Sequence, residues 1–157
     1  MLEQDLIKRL SSLYTEQDTT NFNVLDYVYD FGSPLQALMY SKLFWPEFIE
    51  IEDMVFLKDR MEDEDDRRAV LKVLEQHEGN RSKTEQAFNL FEIPQDMFGK
   101  KMGETTEEED RYLAEILVEM WQCRLQMLFP NRSFKVMLLT AEETGGEIGI
   151  LFYQSET

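Results

Sequence analysis

Apolar residues recur at helical spacing from the beginning of the chain. Leu2, Leu6, Leu10 and Leu13 share one face, with Glu3 and Asp5 in the first turn, where the helix macrodipole favours acids. The polar stretch Thr15 to Asn21 ends that helix. A short helix follows from about Val24 to Phe31, closed by Gly32 at its C′ position. Ser33 and Pro34 are an N-cap and N1 pair, and they open a helix with Leu35, Leu38, Met39 and Leu43 on its face. That helix must end before Pro46.

The pattern then changes. Phe48, Ile49, Ile51, Val55, Phe56 and Leu57 are β-formers around Glu52-Asp53, which fits one bent strand or a tight hairpin turning at that pair. Glu62 to Asp66 begins a helix with Val70, Val73, Leu74 and His77 on one face, stopped by Gly79-Asn80. Ser82 and Glu85 have capping-box spacing ahead of Ala87, Phe88 and Phe91. The longest helix starts at Thr106, with Glu109 as its capping partner, and ends at Pro130-Asn131. Its expected apolar face is Leu113, Ile116, Leu117, Met120, Trp121, Met127 and Leu128. Phe134–Thr140 and Glu147–Tyr153 read as an antiparallel hairpin around Gly145-Gly146, with a bulge-forming glycine at Gly149. These elements predict an α+β fold, with five or six helices packed on a small antiparallel sheet that carries a C-terminal β-hairpin. With 157 residues and no Pro- or Gly-rich linker, the expectation is one globular domain over 1–157.

Charge sharpens this picture. Sixteen Lys and Arg stand against 32 Asp and Glu, a formal net charge of −16. Such a field repels nucleic acid and anionic membrane surfaces and favours a basic partner or simple solubility. The acidic Met1–Asp5 stretch and the lone cysteine, Cys123, point to a reducing, cytoplasmic location.

Candidate chemistry is sparse. An EF-hand register starting at Asp63 fails, because its sixth and twelfth positions are Arg68 and Leu74. The acids there, like Glu107-Glu108-Glu109-Asp110, read as carboxylates dressing helix starts. His77 is the only histidine, so it has no ligand partner of its kind for a metal, and it is expected to pack near a helix end. Cys123 is expected in the core as an inert thiol. Arg124 projects near the apolar stripe of the long helix, where it must snorkel, reach a sheet edge or find a carboxylate. Gly145, Gly146 and Gly149 make no phosphate cradle, and the sequence calls for no cofactor or metal.

One stretch resembles the helix-turn-helix of factor-for-inversion-type DNA-binding proteins: Val73-Leu74, Gly79 to Lys83, Ile93-Pro94 and Lys100-Lys101. The likeness covers fewer than thirty residues, with Asn89-Leu90-Phe91 as an insertion in the family's helix spacing. It implies DNA binding, which the net charge of −16 opposes.

Tyr27, Tyr29, Phe31, Tyr40, Phe44, Trp45 and Phe48 concentrate aromatic surface in one segment. Burial is the first expectation for such rings, while an exposed Phe44-Trp45-Pro46 would make a hot spot for a protein. The functional expectation is a non-enzymatic protein-interaction module, inhibitor- or immunity-like, that meets a basic partner through Glu107, Glu108, Glu109, Asp110 and Trp45. The alternatives are a hydrolase using Asp/Glu acid-base chemistry in a cleft and a purely structural homodimer.

Overall fold

Helices lead and strands close the chain in the computed structural model, which describes residues 3–12, 23–99 and 105–155. The fold is α+β, with two small antiparallel sheets and a carboxyl-terminal strand pair. The chain forms two compact units, Met1–Leu43 and Phe44–Thr157. Leu2, Leu13 and the Thr15 to Asn21 stretch lie outside the described residues.

The first unit is helical: α1 (Glu3–Ser12), α2 (Val24–Phe31) and α3 (Pro34–Phe44, whose last residue begins the second unit). The second carries the sheets. Its first is a hairpin of β1 (Phe48–Ile51) and β2 (Met54–Leu57), which resolves the choice between a bent strand and a hairpin. Ile51 pairs with Met54 across a two-residue turn in which Glu52 and Asp53 take φ of 51° and 65°. Positive φ at both central positions is the type I′ geometry that matches strand twist, although neither residue is glycine. Tertiary donors hold the turn. Arg81 Nε donates to the Glu52 carbonyl at 2.8 Å, and Gln154 Nε2 and Arg132 reach the Asp53 carbonyl at 2.7 and 3.3 Å. Because these bonds use carbonyls and not the Asp53 side chain, Asp53→Gly should relieve backbone strain without losing them. It is expected to raise stability by about 0.5–1 kcal/mol, read as a higher urea midpoint with an unchanged slope. A lower midpoint would show that the exposed Arg81–Asp53 ion pair outweighs the strain.

Next come a 3₁₀ turn (Lys58–Arg60), α4 (Glu64–Gln76) and α5 (Arg81–Phe88). Asp63 and Asp66 form a reciprocal capping box at the start of α4, so the acidic run does dress a helix start. His77 is the C-cap of α4, with Nδ1 3.3 Å from the Thr84 hydroxyl. The expected Ser82–Glu85 box is replaced. Asn80 caps α5 by accepting from Lys83 N–H, and Glu85 is fully buried.

The second sheet has the order β3 (Leu90–Glu92), β5 (Gly149–Gln154), β4 (Phe134–Leu139). Phe91, expected on a helix, is the centre of β3 and pairs with Ile150. That strand overlaps the Asn89-Leu90-Phe91 insertion of the helix-turn-helix likeness, and a π-helical turn (Ile93–Met97) follows it. Gly149 forms no bulge. It pairs in register with Leu139 on one side and Glu92 on the other, and a Cβ there would stand 2.9 Å from the Phe91 carbonyl oxygen. The connection from β4 to β5 contains a helical turn, α7 (Ala141–Thr144), closed by Gly145 at φ 81°. Thr140 caps that turn, and its backbone and hydroxyl bonds hold the Glu143 carboxyl below the ordinary carboxylate range.

α6 (Glu107–Leu128) packs on this sheet, and Thr106 and Glu109 make its expected capping box. Its buried seam is Ala114, Leu117, Trp121 and Leu125, rotated from the expected face, so that Met127 and Leu128 are exposed. Cys123 is exposed as well, not a core thiol. The rotation brings the indole of Trp121 edge-on to Phe91 and Phe152, at 5.6 and 5.9 Å between ring centroids. Ile150 and Phe152 alternate inward along β5, as the two-residue period of a strand requires, and Ile148 just before the strand is buried too. A second core cluster of Ile51, Met54, Phe56 and Val70 joins the hairpin to α4. Among the described residues, no helix is long and apolar enough to cross a membrane.

Candidate interaction surface

Local sequence builds α2 and α3 as a pair joined by the two-residue link Gly32-Ser33. Asn23 accepts from the Leu25 and Asp26 N–H groups, while the Asp26 carboxylate accepts from Asn23 N–H. Tyr27 and Phe31, one turn apart, bring their rings to 5.6 Å. Gly32 ends α2 with ordinary negative φ, so its role differs from the usual left-handed cap. A Cβ at that position would run into the Val28 carbonyl oxygen, and only glycine fits there. Ser33 then accepts from Gln36 N–H at 3.4 Å, and Pro34 begins α3.

The surface of this pair is unusual. Fourteen large hydrophobic residues are exposed among the described residues, and nine of them lie on α2 and α3. Tyr29 is 90% exposed, Leu25 77%, Leu35 71%, Met39 67% and Leu38 65%. Neither helix has a buried residue, and α3 is apolar around its circumference. A helix of that kind ordinarily has neighbours on every side. Between the two helices lies a cleft of about 540 Å³, lined by Tyr27, Tyr29, Phe31 and Tyr40 together with Val28 and Pro34. The aromatic segment is thus turned largely outward. Phe44 and Phe48 are half-buried, while Tyr29, Phe31, Tyr40 and Trp45 are exposed, which overturns the expectation that burial claims them first.

The expected partner-binding residues sit elsewhere, in the second unit. Glu107 and Asp110 line a cavity of about 300 Å³ with Thr105, Glu147, Pro94, Ala141 and Ile148. Asp110 accepts from the Thr105 hydroxyl at 2.6 Å, and Glu109 is engaged in the capping box with Thr106. Glu108 is exposed on the first turn. Trp45 lies under a cation: the Arg124 guanidinium is 5.3 Å from its ring centroid, and Arg124 Nε donates to the Pro46 carbonyl at 3.3 Å. Arg124 therefore meets its cost of partial burial with an aromatic face and a carbonyl. Trp45 does not line the cavity that Glu107 and Asp110 share, and among the described residues no group of three or more His, Cys, Asp or Glu is placed to hold a metal ion. The signal for α2–α3 was already present in the sequence. Val24, Leu25 and Val28, added to Tyr27, Tyr29 and Phe31, are too many apolar side chains for one face of an eight-residue helix. No family model, no curated protein and no solved structure matches the chain.

Proposed function

We propose that this chain is a non-enzymatic protein-interaction module that docks a protein partner on α2–α3. One observation carries the reading: nine exposed large hydrophobics are concentrated on 19 consecutive-helix residues, 8 in α2 and 11 in α3. Contiguous apolar surface of this kind marks an interface, and aromatic anchors dominate interface energetics. The net charge of −16 favours a basic partner and speeds its approach. Affinity capture with the full chain and with a Leu25→Ser/Leu38→Ser variant tests the proposal. Retention of a protein by the wild type alone supports it, and identical retention by both baits removes it.

The acidic field makes a separate prediction. Replacing Glu107, Glu108 and Glu109 together by Gln should slow association with a captured partner while leaving dissociation nearly unchanged, since charges outside an interface core act on encounter. Stability should hold, because Gln at position 109 still completes a capping box. Stopped-flow rates across a salt series through ~0.15 M, where the Debye length is about 8 Å, check it. Salt-independent rates for both proteins would leave the acidity as a solubility trait.

A hydrolase remains the second reading, favoured by one feature: Glu107, Asp110 and Glu147 share a single cavity. Its expected mark is loss of a measured hydrolytic activity in Glu147→Gln with no change in partner capture.

A further inference from the structure

We infer that the occupant of α2–α3 is a cationic amphipathic helix supplied by a different protein, an inference that rests on the interaction reading above. Three observations narrow the occupant. First, α2 and α3 present no sheet edge. Their main-chain groups are engaged within helices, so an added strand would find no ladder to extend, and side chains must do the recognising. Second, Leu25, Leu35, Leu38 and Met39 are exposed aliphatic side chains of these two helices, additional to the residues that line the aromatic cleft. Flexible aliphatic ridges of this type receive the i, i+3 and i+4 anchors of a helix, with Met adapting to their shape. α3 is 11 residues long and so extends about 16 Å, which matches about three turns of a bound helix.

Third, the charge leans acidic. Residues 1–43 hold six acids against three bases, and α2 carries Asp26 and Asp30 without a cation, against the single Lys42 of α3. Asp26 is engaged in its capping box, so Asp30, exposed one turn further on, is the carboxylate placed to meet a Lys or Arg flanking the apolar face. A second copy of this chain would bring the same acids and a further net −16 to the surface. Like charge at close range disfavours that pairing, whereas a basic helix gains from the same field.

Fluorescence anisotropy of labelled peptides against the full chain tests this. The probes are a Leu/Lys helix with Leu at i, i+3 and i+4 spacing, its Leu/Glu counterpart, and a Lys-flanked proline-rich peptide. The Leu/Lys helix should bind, weaken about tenfold or more with Leu25→Ser/Leu38→Ser, and weaken as salt rises. Asp30→Lys should shift preference toward the Leu/Glu helix, a reversal that a purely structural role for Asp30 would not produce. Equal binding of the Leu/Lys helix by wild type and the serine variant would overturn the inference, because the peptide would then be reading acidity alone. Tighter binding of the proline-rich peptide, or of the Leu/Glu helix by wild type, would overturn it too. Sedimentation velocity separates the remaining case. A concentration-dependent dimer abolished by Leu25→Ser/Leu38→Ser would overturn the heterologous helix while leaving α2–α3 an interaction surface. Failure of every probe, with identical capture by wild type and variant, would remove both.

Discussion

Trp121→Ala is expected to cost about 3–5 kcal/mol, the largest loss available from a single apolar side chain in the second unit. Trp121 is fully buried on α6 and meets Phe91 of β3 and Phe152 of β5 edge-on. Those two rings are themselves parallel, 6.4 Å apart. Removing the indole therefore empties the place where the long helix meets two strands, and the neighbours cannot all collapse into one gap. Trp121→Phe keeps an aromatic ring in contact and should cost clearly less. Urea unfolding followed by far-ultraviolet circular dichroism measures both. A loss below about 1 kcal/mol for Trp121→Ala would show that α6 does not pack on the sheet through this residue.

Local signals account for what the sequence disclosed. The Thr106–Glu109 box fixed the start of α6, and Ser33-Pro34 fixed the start of α3, because caps are short-range chemistry that needs no distant partner. The errors fall where a distant partner decides. Phe91 continues the apolar spacing of Ala87 and Phe88, yet pairing of Leu90 and Phe91 with β5 makes them strand. A three-residue strand has no periodicity of its own to read. Ser82 and Glu85 have the spacing of a capping box, but the carboxylate is taken by groups far along the chain. The phase of α6 differs from its apolar pattern for the same reason. Ala114 lies in the buried seam, a position that its small side chain makes inconspicuous in a hydrophobic pattern. On α2–α3 the apolar residues were visible, but apolarity alone is silent on what covers them. The expectation for Glu107, Glu108, Glu109 and Asp110 rests on overall charge, which by itself locates no surface.

Glu85→Ala should be nearly as damaging as the tryptophan change, for a polar reason. Glu50 and Val55 form the second pair from the β1–β2 turn, where antiparallel alternation points the Val55 N–H and carbonyl away from β1. α5 supplies the missing partners. Glu85 Oε1 accepts from Val55 N–H at 2.7 Å, and Asn89 Nδ2 donates to the Val55 carbonyl at 2.8 Å. The same carboxylate accepts from Gln154 N–H at 2.6 Å and from Gln154 Nε2 at 2.7 Å, beyond the point where β3 ceases to pair with β5. One buried side chain thus satisfies the edges of both sheets. Alanine would leave two backbone donors, Val55 N–H and Gln154 N–H, without an acceptor and Gln154 Nε2 with the Asp53 carbonyl alone. At about 1–3 kcal/mol per orphaned donor before water enters and the cost of burying a charge is relieved, the net loss is about 2–5 kcal/mol. Glu85→Gln keeps one acceptor oxygen and turns an NH₂ toward donors, so an intermediate loss is expected. The pH dependence identifies the carboxyl. Burial raises the Glu85 pKa above the ordinary carboxylate range, against the lowering effect of bonds from Gln154 and Val55 and of the Arg132 charge. A raised folded-state value means that the native protein holds this proton more tightly than the unfolded chain. Its contribution is therefore fully present below the unfolded value and is lost as pH rises through the folded one. Relative to Glu85→Gln, the wild type should gain stability as pH falls from neutrality toward the ordinary carboxylate range in paired denaturation curves, with other carboxylates cancelling in the difference. A flat difference would mean that the bonds from Gln154 and Val55 and the Arg132 charge fully offset burial, so that the Glu85 carboxyl gains no proton affinity on folding.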